Sequence, residues 1–184
     1  MRLQLWLIGA AAVLAAGGPA GAAVMVFGGG LAEDCSHAAF AGKSDPGSIL
    51  TCSLALGGED LDKTDRAGTL INRGVMKLRR LAFEAARADF DASIALIPTV
   101  GEAWVNLGAV SVGERRYQVA LDDLNTALKL GVKEPEKAYF NRALAYEGLD
   151  DEKSAYLDYQ QALALKPDWS LPKHELLRFT VTQR

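Results

Sequence analysis

From Asp65 onward, apolar and small residues recur at helical spacing in blocks broken by glycine or proline. In the last block Ala138, Asn141, Ala145 and Tyr146 share one helical face until Gly148 interrupts it. Asp150 or Asp151 is then placed to cap a second helix whose stripe is Ala155, Tyr159, Ala162 and Leu163, and Pro167 closes it. Pro135 suits the first turn of the opening helix, where a missing N–H is no loss. The same double stripe occurs twice upstream, and one asparagine marks the phase. Asn72, Asn106 and Asn141 are separated by 34 (106 − 72) and 35 (141 − 106) residues. Small residues at Gly74, Gly108 and Ala143, expected opposite Ala86, Ala120 and Ala155, would let the two helices of each unit approach closely.

Two further helices are expected at the ends of this array. "SDPGSILTCSLALGG" has Pro46 in a first-turn position and Gly57-Gly58 as a terminator, like the second helix of a decayed unit. "SLPKHELLRFTVTQR" reads as a closing helix over 170–184, with Ser170 as its cap and Leu176, Leu177 and Val181 on its buried side. A stack of repeats buries each unit only against its neighbours, so its end units need such covers.

The repeats resemble the tetratricopeptide family, in which an aromatic residue, Leu, Gly, Tyr, Ala, an aromatic, Ala and Pro are set at fixed places across 34 residues. Trp104, Leu107, Gly108, Ala120, Leu124 and Ala127 carry the pattern in the second unit. Tyr139, Ala143, Tyr146, Ala155, Tyr159, Ala162 and Pro167 carry it in the third; Leu70, Gly74, Ala86, Phe90, Ser93 and Pro98 carry it in the first. Lys77 and Ser111 depart from the tyrosine position and Val132 from the proline. The resemblance implies an all-α fold, a right-handed α-solenoid of antiparallel helix hairpins. Its three units span about 67–99, 101–134 and 136–169, within 65–169, with capping helices on either side.

The resemblance further implies that the first helix of each unit lines a concave groove that holds a protein or peptide partner. Position by position, this places Ile71, Asn72, Val75 and Arg79 from the first unit on that surface, with Glu102, Val105, Asn106 and Ala109 from the second and Lys137, Phe140, Asn141 and Leu144 from the third. An asparagine amide both donates and accepts, so it can engage a partner's backbone, or equally bond helix to helix within the stack. The subset of the family that clamps a C-terminal carboxylate is matched here only at Asn106 and Lys137. Ile71 and Val75 replace its first pair and Asn141 its arginine, so that clamp is not expected.

The N-terminal stretch reads differently. No charged side chain occurs from Leu3 to Ala32, Arg2 precedes the run, and Glu33 and Asp34 end it. The apolar part Leu3 to Ala16 is followed by Gly17, Gly18 and Pro19, then by Ala20-Gly21-Ala22, a small-x-small pattern. This predicts an export signal over 1–22, cut after Ala22 or Ala23; the alternative is an uncleaved membrane anchor over 3–32. Residues 23–64 would then form an N-terminal segment carrying both cysteines. In an oxidising compartment Cys35 and Cys52, with 16 residues between them (52 − 35 − 1), are expected to form a disulfide.

Net charge is −3 and the isoelectric point about 5.4, which argues against nucleic acid as a partner. His37 and His174 lie at opposite ends of the array, so neither a catalytic constellation nor a metal site is expected, and no cofactor. Asp89, Asp123 and Asp158 recur in phase and read as a structural row pairing with Arg73 and Arg142 or facing water. The expected function is non-catalytic: an exported, periplasmic or secreted, adaptor that captures a peptide or protein. Alternatives are a self-associating scaffold with a seam at Tyr117, Phe140 or Trp169, and, more remotely, a thiol-dependent enzyme using Cys35 or Cys52.

Overall fold

The computed structural model describes residues 2–5, 19–27 and 29–182. Its helices, in order, are α1 (Gly30–Phe40), α2 (Pro46–Gly58), α3 (Lys63–Arg79), α4 (Phe83–Leu96), α5 (Gly101–Gly113), α6 (Tyr117–Leu130), α7 (Pro135–Gly148), α8 (Glu152–Leu165) and α9 (Ser170–Leu176). They pair as hairpins α1–α2, α3–α4, α5–α6 and α7–α8, with α9 packed on α8. The last three hairpins are the units read from the sequence. No sequence signal marks the start of helix α1, because Gly30, Leu31 and Ala32 prolong the uncharged run that begins at Leu3. With α2 it completes a fourth, divergent hairpin.

The three hairpins of the repeat turn in the same way. Leu81, Arg115 and Asp150 stand at equivalent places with φ of 61°, 60° and 59°. The residue after each donates its N–H back across the turn: Ala82 to Lys77 O, Arg116 to Ser111 O and Asp151 to Tyr146 O, at 3.0, 2.8 and 2.9 Å. This left-handed closure satisfies carbonyls that a helix end would otherwise leave open. It also divides the work of the two aspartates, since Asp150 makes the turn while Asp151 caps α8 by accepting from Ser154 N.

Within the first two hairpins of the repeat, a glycine on the first helix permits the close approach. A Cβ at Gly74 would overlap the Phe90 ring, and one at Gly108 would overlap the Leu124 side chain. The glycines thus make room for a large residue of the second helix. Between units, the Phe83 ring fills the space beside Gly113, and the Tyr117 ring that beside Gly148. Phe140 and Tyr159 are fully buried, with ring centroids 5.6 Å apart, and Trp169 closes over Phe140 at 4.9 Å. Burying each such ring contributes roughly 2 to 3 kcal/mol. Phe140 is therefore a core residue and not part of an outer face, while Tyr117 and Trp169 are half-buried against the core.

The aspartate row is structural, with one gap. Arg73 holds Asp89 through two hydrogen bonds of 3.0 and 2.7 Å, and Arg142 holds Asp158 through two of 2.7 and 2.9 Å. In the middle unit Leu107 stands where those arginines stand, leaving Asp123 with the Ser111 hydroxyl at 3.4 Å. Burial, with little to offset it, raises the Asp123 carboxyl from 3.8 to about 6.

The ends close by two devices. Cys35 of α1 and Cys52 of α2 form a disulfide, both wholly buried, which tie the first hairpin together. No free thiol remains at either position. At the other end the expected helix over 170–184 stops at Leu176, with Trp169 and not Ser170 in the capping position. Leu177 is 80 % exposed, not buried. Arg178 is held by Glu147 and Glu175 at 2.6 Å each, and Phe179–Thr182 then runs as strand β2, antiparallel to Arg2–Leu5 (β1). The β-branched run Thr180-Val181-Thr182 favours extended backbone over helix. The start of the predicted export signal thus sits in a strand, while its residues 6–18 lie outside those described. No helix among the described residues is long and apolar enough to cross a membrane.

Reducing the disulfide is expected to destabilise the fold by about 3 kcal/mol, read by denaturant unfolding with and without reductant. The Asp123 shift makes a second prediction. Its folded pKa is raised, so the carboxyl favours the fold below about pH 4, where it is protonated in both states, and that advantage is lost as pH rises through about 6. Asp123→Asn should therefore raise stability at pH 7.5 by about 1 kcal/mol, after allowing for its partial exposure, and give no gain at pH 4. Melting curves at the two pH values check this.

Candidate functional site

Helices α3, α5 and α7 line the inner side of the array, and each presents its asparagine one repeat apart. Asn72, Asn106 and Asn141 are all fully buried, which obliges their carboxamides to find both a donor and an acceptor. Neither comes from a neighbouring helix. Both come from an extended stretch of the chain's own N-terminal part, residues 19–27, which lies along the groove.

The contacts form a ladder. Ala20 N donates to Asn141 Oδ1 at 2.8 Å, while Asn141 Nδ2 donates to Ala20 O at 2.9 Å. Ala22 and Asn106 make the same pair of bonds, both at 2.8 Å. Val24 N donates to Asn72 Oδ1 at 2.8 Å, and Asn72 Nδ2 to Val24 O at 2.6 Å. The partners are alternate residues, because in extended backbone only every second residue turns its N–H and C=O toward the same side. The order is antiparallel to the repeats, with residue 20 on the third unit and residue 24 on the first. Val26 continues it, its carbonyl accepting from the buried Ser36 hydroxyl of α1 at 3.4 Å.

Packing fixes this segment further. Ala22 is 1 % exposed and joins the core of the second and third units, while Val26 is 2 % exposed against Ala32 and Ala55. A Cβ at Gly21 would come within 3.2 Å of Val75 Cγ1, and a Cβ at Gly68 within 2.9 Å of Val26 Cγ2. Gly68 thus opens the floor of the groove for the valines, and Gly21 is small because Val75 stands beside it.

The other residues expected on the groove divide into three groups. Ile71, Ala109, Val105, Phe140 and Leu144 belong to the core beneath it. Glu102 and Lys137 sit at the rim, where Glu102 accepts from Lys133 N at 3.2 Å and Lys137 pairs with Glu134 at 2.6 Å. Arg79 points away toward the first hairpin, donating to Ala39 O at 2.8 Å and Lys43 O at 3.3 Å. The ladder itself contains no ionisable group. Among the described residues, no three of His, Cys, Asp or Glu stand close enough to hold a metal ion. Nothing in the sequence marks Ala20, Gly21, Ala22, Val24, Ser36 or Gly68 as groove residues beyond the lack of charge in residues 19–27, the small-x-small run at 20–22 reading instead as an export site.

A family model for the tetratricopeptide repeat matches residues 136–168. No curated protein sequence matches the chain. Among solved structures, the TPR domain of Arabidopsis OM64 is similar at 23 % identity and a TM-score of 0.59, over 64 % of this chain and 96 % of that one. MamA from Desulfovibrio magneticus RS-1 is similar at 20 % identity and a TM-score of 0.60, over 83 % of this chain and 84 % of its own. The second TPR domain of human RPAP3, solved with the HSP70 peptide SGPTIEEVD, gives 22 % identity and a TM-score of 0.56, over 63 % and 96 %. Likeness at these identities speaks to the fold: the array is a helical solenoid of the tetratricopeptide-repeat kind, and its third unit matches the family model of that repeat.

Proposed function

We propose that this chain is an exported interaction module that captures an extended, uncharged peptide segment of a partner protein in its concave groove by gripping the backbone. The observation that carries this reading is the paired bonding of each buried asparagine to the N–H and C=O of alternate residues in one extended segment. Every peptide has those groups, so such a grip is tolerant of side chains and selects for extended shape and small bulk. The RPAP3 domain is a solenoid of the same fold bound to a peptide with an acidic end, SGPTIEEVD. Here the chemistry differs, because Lys137 is already paired with Glu134 and the groove offers amides and apolar walls. Export rests on the uncharged N-terminal run and its small-x-small site, and the buried disulfide is in keeping with an oxidising compartment.

The test is binding of labelled, uncharged nine-residue peptides to the processed form beginning at Ala23, followed by fluorescence anisotropy. Replacing Asn106 and Asn141 together by alanine removes four backbone-directed hydrogen bonds and should weaken binding roughly 100-fold or more. Unchanged binding in the double variant would sink the proposal. In the whole chain the same substitutions should also lower the melting temperature, since both side chains are buried and leave the backbone of Ala20 and Ala22 unpaired. Hydrogen exchange offers a sharper check. The amides of Ala20, Ala22 and Val24 should be slow, and Asn106→Ala should speed Ala22 most.

A further inference from the structure

We infer that residues 19–26 are a tethered competitor for the groove, so that a partner segment binds only when this stretch of the chain's own backbone has left. The inference rests on the groove reading above and adds to it what occupies the site beforehand. All three asparagines are taken up by Ala20, Ala22 and Val24, and Ser36 takes the next alternate residue, Val26. No inner-face carboxamide is left to receive a second strand. An occupant joined to the same chain acts at an effective concentration in the millimolar range, so it masks the groove against free peptides of similar intrinsic affinity.

The position of the occupant gives the competition a switch. The small-x-small site Ala20-Gly21-Ala22 lies within the ladder, and the peptide bond after Ala22 falls between the residues held by Asn106 and by Asn72. A cut there detaches the residues on Asn141 and Asn106 from the rest of the chain and leaves Val24 on Asn72. Two carboxamides then lose the strand that paired and covered them, and the emptied groove can take any strand that restores those bonds and the apolar contacts beside them. Removal of the N-terminal segment would thereby be the event that opens the groove. The ligand class follows from what the segment is: extended, uncharged, and small where Gly21 meets Val75.

The experiment uses the whole 184-residue chain and a fluorescent peptide with the sequence of residues 19–27, PAGAAVMVF. Two variants weaken the tethered strand without altering the repeats. Ala20→Pro with Ala22→Pro removes the two donors to Asn141 and Asn106. Gly21→Leu forces a side chain against Val75 and serves if the proline variant does not fold. The peptide should bind either variant at least roughly tenfold more tightly than the unaltered chain. Equal affinity for the variants and the unaltered chain would overturn the competition and leave the groove standing. Binding to none of them would overturn the groove reading and the competition together.

Discussion

A carboxamide shut away from water must find one donor and one acceptor, and on the inner face of this array that need is met three times in the same way. Asn72, Asn106 and Asn141 each sit on the first helix of a close-packed hairpin, and residues 19–27, laid over them, complete their burial. The close packing is itself enabled by glycine: Gly74 receives Phe90 and Gly108 receives Leu124. Burial of the asparagines, the extended path of residues 19–27 and the exclusion of charge from the groove are thus one arrangement. Changing the glycines would alter the hairpins, and with them the spacing of the amides that hold the strand.

The second interaction layer lies on the other side of the same helices, where each unit needs an arginine for its aspartate. Arg73 with Asp89 and Arg142 with Asp158 satisfy it, whereas Leu107 leaves Asp123 to a single hydroxyl. Repeats diverge one position at a time, and a leucine that helps the core of the middle unit has left a carboxylate short of its cation. Stability in a stack is close to a sum over units and their interfaces, so such a local deficit is tolerated. The disulfide in the first hairpin acts in the opposite sense, reinforcing the unit that has lost most of the repeat pattern.

Most of the helical array could be read from the residues because repetition multiplies weak signals. Gly148 and Asn141 say little alone, yet with their counterparts 35 residues upstream, Gly113 and Asn106, they fix phase and hairpin. The cysteine pairing was legible from count and context. Three things were not. Helix α1 begins in Gly30-Leu31-Ala32, whose composition continues an apolar run, so its start carries no boundary. Strand β2 has its partner in Arg2–Leu5 at the far end of the sequence, a long-range pairing that local propensity does not contain. The ladder partner escaped because it is recognised through backbone groups. Ala20, Ala22 and Val24 contribute what any residue would contribute, and only Gly21 and Gly68 bear a side-chain trace of the fit.

The pitch of the ladder has a consequence of its own. Each repeat of 34 or 35 residues engages one residue in two of the strand, so the array advances along its ligand in steps of about 6.6 to 6.8 Å. A slip of one residue would turn every N–H and C=O away from the asparagines at once. A slip of two would restore all but the terminal rung. Registry along this groove is therefore quantised, with allowed settings two residues apart, and a bound strand changes frame by ratcheting in pairs instead of sliding.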